Sequence, residues 1–318
     1  MRGLLILCAV FIFGVKVPAA YGAEDAKHMD FHPTVSPDER QVAYYSYRGA
    51  ALPDIFVHDI KTGKETNITQ SPDLWEIEPA WSPNGKMIAY GAGDSMRSLE
   101  IVVHDMHSGK TTNYGEGNGA SWSPDSKLIV FARFDQGVSS SVHILTVATG
   151  EIVDIDLSAA EGAFSSSPSW LPDGSGLVFS NQIKSGGNSN IYTVDLASGA
   201  VKALVKSPLN TGTSFVSGDG KMLYFGGDAY GSKVEFPDNI SPRLNHIYGV
   251  RMEDAAGEVP LEKFMMVSGE LKGQQYFAEL AADGKSLYVE TGYWDSSTFH
   301  VYKLPLAQGM SPVKISGQ

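Results

Sequence analysis

A short turn motif recurs along this chain and fixes what the chain can fold into. It reads Ser36-Pro37-Asp38, Ser82-Pro83-Asn84, Ser123-Pro124-Asp125 and Leu171-Pro172-Asp173, then loses its proline at Ser217-Gly218-Asp219 and Ala281-Ala282-Asp283. The turns fall at intervals of roughly 40 to 50 residues, a period that marks a repeat architecture, and the interval before the last one is longer. Proline presets φ for the second turn position, Asp or Asn accepts local backbone hydrogen bonds, and Gly85, Gly174, Gly220 and Gly284 follow at the position that needs a left-handed backbone. Glu39 and Ser126 stand there instead in two repeats. Each should cost about 1 kcal/mol if the geometry is kept.

The residues flanking each turn repeat as well. Val35, Trp81, Trp122, Trp170, Val216 and Leu280 close a preceding strand. After the turn come the apolar triplets Val42-Ala43-Tyr44, Ile88-Ala89-Tyr90, Ile129-Val130-Phe131, Leu177-Val178-Phe179, Leu223-Tyr224-Phe225 and Leu287-Tyr288-Val289. A strand apolar at consecutive positions is buried on both faces. A third strand follows in each unit, and Gly63, Gly109, Gly150 and Gly199 open a turn into a short fourth. Four antiparallel strands in each of six units predict an all-β, six-bladed β-propeller with four-stranded blades.

The stretch Pro79-Ala80-Trp81-Ser82-Pro83-Asn84-Gly85-Lys86-Met87-Ile88-Ala89-Tyr90, with Glu100 to Asp105 and Ser108-Gly109 after it, resembles the Pro-Asp propeller repeat of the TolB family. The resemblance runs along residues 24–318 and concerns the propeller alone. No counterpart is expected of the α/β domain that precedes the propeller in TolB. What it implies is a scaffold, because one fold serves unrelated activities.

Ahead of the repeats, Arg2 precedes an apolar run from Leu4 to Val15, and Ala20-Tyr21-Gly22-Ala23 supplies small residues for cleavage. Residues 1–23 are read as a signal peptide and the run as too short to span a membrane comfortably. The mature chain is expected to be periplasmic or secreted, monomeric and not stably inserted in a membrane. Cys8, the only cysteine, lies inside the leader, so no disulfide or thiol chemistry is expected. The formal net charge of −12 argues against nucleic acid as a partner.

Catalytic signals are absent from the sequence. There is no Gly-x-Ser-x-Gly elbow and no phosphate-binding glycine loop between a strand and a helix, so no catalytic residue and no cofactor is assigned. His58 and His104 occupy equivalent third-strand positions and His143 nearly does, which separates them by a repeat each and argues against a shared metal. His32 and Glu78 stand at equivalent places before their turns, and both are expected near the mouth of the central channel, where the pair could hold a cation or ligand.

The loops opposite the turns vary most, as binding loops on a rigid scaffold do. Arg48, Arg97 and Arg133 lie in three successive second-to-third connections, Trp75, Glu76 and Glu78 in or beside a fourth-to-first connection, and Trp294 in the last repeat. An insertion from Asp228 to Asn245, containing Tyr230 and Arg243, is read as an ordered flap over the same face. These residues form the candidate binding surface. The expected partner is an envelope protein; the alternative is a glycan that the protein binds or, as some enzymes with related propellers do, cleaves at uronic-acid linkages.

Overall fold

The serine that opens four of the six turns does more than the turn spacing implies. In a computed structural model, Ser36 Oγ donates to Asp38 Oδ1 (2.7 Å) and accepts from Gln41 N–H (3.0 Å). Ser82, Ser123 and Ser217 repeat both bonds with Asn84, Asp125 and Asp219 and with the N–H groups of Met87, Leu128 and Met222. One hydroxyl thus ties the turn to the start of the next strand and spends the polar groups there internally. The model describes residues 29–48, 50–135, 139–182, 189–228, 245–269, 271, 273–293, 298–307 and 310–316. The signal segment and the calls on Tyr230, Arg243 and Trp294 lie outside the described residues.

The first repeat gives β1 (Asp30–Val35), β2 (Gln41–Ser46), β3 (Asp54–Asp59) and β4 (Glu65–Asn67); the second gives β5 (Trp75–Trp81), β6 (Met87–Gly93), β7 (Glu100–Asp105) and β8 (Thr111–Glu116). The third contributes β9 (Asn118–Trp122), β10 (Leu128–Asp135), β11 (Ser139–Thr146) and β12 (Glu151–Ile155), and the fourth β13 (Phe164–Trp170), β14 (Gly176–Gln182), β15 (Ser189–Asp195) and β16 (Val201–Lys206). The fifth holds β17 (Asn210–Val216), β18 (Met222–Asp228), β19 (His246–Arg251), β20 (Gly257–Glu258) and β21 (Met265–Met266). The last holds β22 (Ala278–Leu280), β23 (Ser286–Tyr293), β24 (Thr298–Pro305) and β25 (Val313–Lys314).

Pairing of these strands corrects the expectation of six separate blades. Among the described residues there are four discrete four-stranded sheets, β1-β2-β3-β4, β5-β6-β7-β8, β17-β18-β19-β21 and β22-β23-β24-β25, and one sheet of nine strands. The large sheet runs β20-β16-β15-β14-β13-β11-β10-β9, with β12 on β11, so the third and fourth repeats are not separate hydrogen-bonded units. The joint is small and local. Ser140 pairs in parallel with Phe164, its N–H donates to Ala163 O (3.1 Å) and its hydroxyl to Ser165 O (2.7 Å). Turn spacing counts repeats, but it carries no information on whether neighbouring edges bond.

The fifth repeat departs further. After β19 the chain lays β20 parallel to β16, through Val205↔Gly257 and Lys206↔Glu258, and only then returns as β21 to complete its own sheet. The long interval before the last turn therefore reflects this detour as well as the insertion between β18 and β19.

The core lies between successive sheets. The second-strand triplets are all buried, as strands apolar on both faces must be. Trp122 Nε1 donates to Ala80 O (3.0 Å) and Trp170 Nε1 to Ser121 O (3.2 Å), so each indole buries its ring and bonds the preceding repeat with its polar edge. The first and last repeats meet in the same way: Val35, Val42 and Tyr44 share a cluster with Ala281, Tyr288, Val301 and Ile315, and Met29 bridges Phe299 in parallel.

Candidate functional site

The innermost strands of the first five repeats are interrupted, and the interruptions shape the centre of the molecule. Register shifts fall between Phe31 and Thr34, Ile77 and Ala80, Ser166 and Ser169, and Thr211 and Ser214. At these bulges His32 (φ 51), Glu78 (φ 55) and Ser167 (φ 49) take a left-handed backbone, as Gly119 (φ 64) does in the third repeat. Pro33, Pro79 and Pro168 follow directly, at positions where a ladder N–H is not needed. A bulge re-aims its side chain, and holding a non-glycine residue there costs about 1 kcal/mol or more. The result is a cavity of about 710 Å³ whose wall includes His32, Glu78, Gly119, Ser167, Phe277 and Glu279.

The acid groups of this centre are set by desolvation. Burial pushes Glu78 up to about 7, although its Oε2 accepts the Gly119 N–H at 3.0 Å. Glu279 keeps part of its surface open, yet its carboxyl lies deep between the repeats and is raised to about 7 by burial, against hydrogen bonds from Thr34 and the Val35 N–H (2.8 Å). Behind them Glu290 is fully buried and is pushed up to about 8 by burial, against the lowering effect of the backbone N–H groups of His32, Phe277 and Tyr276. Burial also drives His32 down to about 3; its ring stacks on Phe277 with centroids 4.1 Å apart. Near neutral pH this centre therefore holds a neutral imidazole, a mostly protonated Glu290 and two carboxyls, Glu78 and Glu279, close to their midpoint of protonation.

His32 and Glu78, paired in the sequence reading, line the same cavity. Glu279 and Glu290 escaped that reading, and a signal for them exists. At the repeat position of Glu279 the other units carry Thr34, Ala80, Ser121, Ser169 and Phe215; at that of Glu290 they carry Tyr45, Gly91, Ala132, Ser180 and Gly226. An acid where all other repeats are uncharged marks both.

The proposed loop-face residues sit in different surroundings. Arg48 turns inward at φ 43 and binds Glu65 (2.6 Å), with Asp30 at 3.4 Å and the Phe56 ring 5.0 Å from its guanidinium carbon. Tyr44 hydroxyl also donates to Glu65. Arg133 donates to Glu116 O (2.8 Å) and lies over Phe131, while Arg97 is exposed. Half-buried Trp75 meets Tyr47 edge to face, and Glu76 is buried and raised to about 7 by burial, with Asp54 adding to the rise.

The third-strand histidines are buried in separate sheets. His143 bonds Asp154 (2.8 Å) and Ser141 (2.7 Å), His58 lies 3.6 Å from Glu65, and burial lowers His104. Among the described residues no three His, Cys, Asp or Glu side chains converge as a metal site would require, and no helix is long and apolar enough to cross a membrane.

The fold has known counterparts. Tol-Pal system protein TolB of Francisella tularensis subsp. holarctica, in strains OSU18 and LVS, is 33% identical over 84 residues, a stretch that spans 26% of this chain and only 18% of that protein. The crystal structure of TolB from Acinetobacter baumannii superposes with a TM-score of 0.56 at 21% identity, covering 70% of this chain and 52% of that one. Putative TolB from Agrobacterium tumefaciens gives 0.58 at 15% identity over 81% and 87% of the two chains. An oligogalacturonate lyase in complex with manganese gives 0.55 at 14% identity over 88% and 90%. At such identities the solved structures share the fold alone. The TolB beta propeller domain model matches residues 119–286, more than half of the sequence, and the chain thus belongs to the TolB beta propeller domain family.

Proposed function

We propose that this chain is exported and serves in the cell envelope as a protein-binding TolB-like propeller, engaging its partner on the face of the second-to-third and fourth-to-first connections. Membership of the TolB propeller family carries the reading. The local chemistry supports the choice of face. On the turn face, the serine hydroxyls and Asp side chains bond one another and the adjacent backbone, which leaves them little to offer a partner. On the loop face Arg97 is exposed, and Trp75 and Arg133 keep part of their surface; residues of these types anchor protein interfaces.

The test is made on protein expressed from its full gene. The expected result is export with loss of a segment ending near Ala23, and capture by cross-linking of an envelope protein that falls at least five-fold in the double variant Arg97→Glu/Arg133→Glu. Retention in the cytoplasm, or capture indifferent to both substitutions, overturns the reading. The likeness to an oligogalacturonate lyase gives the glycan alternative its own measurement: turnover of oligogalacturonate that is lost in His32→Ala would replace a binding role with a catalytic one.

A further inference from the structure

We propose that Ser141, His143 and Asp154, on the outer strands of the third repeat, form a serine–histidine–aspartate triad that cleaves small carboxylic esters. Ser141 Oγ lies 2.7 Å from His143 Nε2, and His143 Nδ1 lies 2.8 Å from Asp154 Oδ1. This is the connectivity of an activated serine, with nucleophile, base and orienting group each within hydrogen-bond reach of the next. The site stands apart from the central cavity, and its chemistry needs no protein partner.

Sheet register puts the three side chains on one face. Ser141 and His143 are two apart in β11, and Asp154 of β12 is the direct ladder partner of His143. Ser141 is exposed, whereas the His143 side chain keeps only 6% of its surface, so the base is fixed while the nucleophile is open to a substrate. Phe131, opposite His143 in β10, stacks on the imidazole with centroids 5.4 Å apart and holds its plane.

As a carboxylate, Asp154 only accepts, so Nδ1 carries the ring proton and bare Nε2 receives the Ser141 hydroxyl. Burial holds the imidazole below its usual pKa and Arg133 adds to the fall, while Asp154 works against both. Near neutral pH the ring is thus in the form that takes up a proton. Arg133 faces Ser141 directly across the ladder; its Nε donates to Glu116 O (2.8 Å), and its terminal nitrogens make no hydrogen bond among the described residues. A guanidinium beside the nucleophile stabilises the oxyanion of an attacked carbonyl.

Packing alone does not ask for these residues. At the repeat position of His143 the other units hold Phe56, Val102, Tyr192, Tyr248 and Tyr302, and none has an acid at that of Asp154. Burying an imidazole where an apolar or aromatic side chain serves five other repeats costs desolvation, and the triad gives that cost a purpose.

In the reaction, Ser141 Oγ attacks the ester carbonyl carbon as its proton passes to His143 Nε2. The bond to the alcohol oxygen then breaks, and the alcohol leaves with that proton. Water repeats the attack on the acyl-serine, releasing the acid and restoring the hydroxyl.

Turnover of p-nitrophenyl acetate, and covalent labelling by a fluorophosphonate mapped by peptide mass spectrometry, test the site in the full mature protein. An adduct on Ser141 and saturable turnover are expected. Ser141→Ala abolishes both, and His143→Gln lowers both by about 100-fold. Asp154 positions the imidazole, so Asp154→Asn lowers them by about 10-fold and Asp154→Glu restores most of the rate. Ser198→Ala, at an exposed turn, changes neither. Ser141 and Asp154 are exposed, so their variants keep the test decisive should His143→Gln fail to fold. The absence of an adduct on Ser141, the absence of turnover above the uncatalysed rate, or turnover that survives Ser141→Ala overturns the proposal. Such a failure leaves the export and capture experiment untouched.

Discussion

Glu39 and Lys303 bind the first turn of the chain to its last sheet. Lys303 Nζ lies 2.8 Å from Glu39 Oε2, and Glu39 Oε1 accepts the Asp283 N–H at 3.2 Å, in the turn of the last repeat. Glu39 holds this place at φ 55, where four other repeats carry glycine. Ser126, the second exception, sits at φ 61 and its hydroxyl accepts the Asn84 N–H (3.0 Å) of the preceding turn. At both positions a left-handed backbone is maintained, and the side chain that strains it reaches the neighbouring repeat.

The two effects separate by substitution. Replacing Glu39 with Gly relieves about 1 kcal/mol of backbone strain while losing the latch, whereas Ala loses the latch and keeps the strain. Glu39→Ala is therefore expected to melt below Glu39→Gly by a few degrees, and both at or below wild type. Ser126→Ala and Ser126→Gly should show the same order. Thermal denaturation of the four variants checks this; Ala variants as stable as the Gly variants would show that strain is not stored there.

Arg48 is expected to matter for folding and not for partner binding. Its guanidinium faces Glu65 and Asp30, the latter fully buried. Partial burial works to raise the Glu65 carboxyl, but the nearby His58 imidazole and hydrogen bonds from Arg48 and Tyr44 outweigh it and hold the group well below its usual range. Removing the arginine leaves two acids uncompensated. Because Arg48 and Glu65 keep side-chain exposures of 21% and 28%, solvent softens the penalty, and Arg48→Ala should cost about 2 to 3 kcal/mol, below the range for fully buried pairs. Urea denaturation measures it, and unchanged cross-linking in the variant separates its role from that of Arg97.

Stability should fall as pH rises through neutrality. Glu78, Glu279 and Glu290 have folded pKa values raised to about 7, 7 and 8 by burial, above their unfolded values. A group raised in this way gives its full support below the unfolded pKa and loses it as pH climbs through the folded one. His32, depressed to about 3, acts at the other end: its contribution is complete above its unfolded pKa and is lost as pH falls from about 6.5 toward 3. Melting temperature is expected to decline between about pH 5 and 8, with His32 opposing the decline below about 6.5, and the decline to be shallower in Glu290→Gln. A profile still as steep in that variant would place the titration elsewhere.

How far the sequence reached depended on periodicity. The buried triplets, the turn register and the left-handed positions at Glu39 and Ser126 are properties every repeat enforces alike, so each copy supported the others. Ser140 and Gly257 were out of reach, because each makes a single contact to a neighbouring sheet that no repeat pattern encodes, and with them went the number of sheets. Arg48 shows a different limit. Three arginines read into second-to-third connections look alike in sequence, yet Arg133 lies within β10 and Arg48 is held inward by Glu65 and the buried Asp30. Glu279 and Glu290 were visible as charged departures from neutral repeat positions.

Turn chemistry gives the most direct forward prediction, since it asks for a gain. Ser36, Ser82, Ser123 and Ser217 each bond both their turn's Asp or Asn and the N–H that opens the next strand. In the last repeat this place belongs to buried Ala281, whose turn keeps Asp283 and the left-handed Gly284 but has no hydroxyl. The backbone there matches its equivalents, with Ala281 N–H donating to Ser286 O (2.9 Å) and Gly284 N–H to Ala281 O (2.9 Å), as Ser217 does with Met222 and Gly220 (both 2.8 Å). A serine at 281 thus finds its acceptor and its donor already in place. Ala281→Ser is expected to stabilise by about 0.5 to 1 kcal/mol, and Ser217→Ala to cost about 1 kcal/mol or slightly more, since it strands the Met222 N–H. Paired urea melts read both signs, and a destabilising Ala281→Ser would mean that the apolar contacts of Ala281 with Val35 and Tyr288 outweigh the hydrogen bonds.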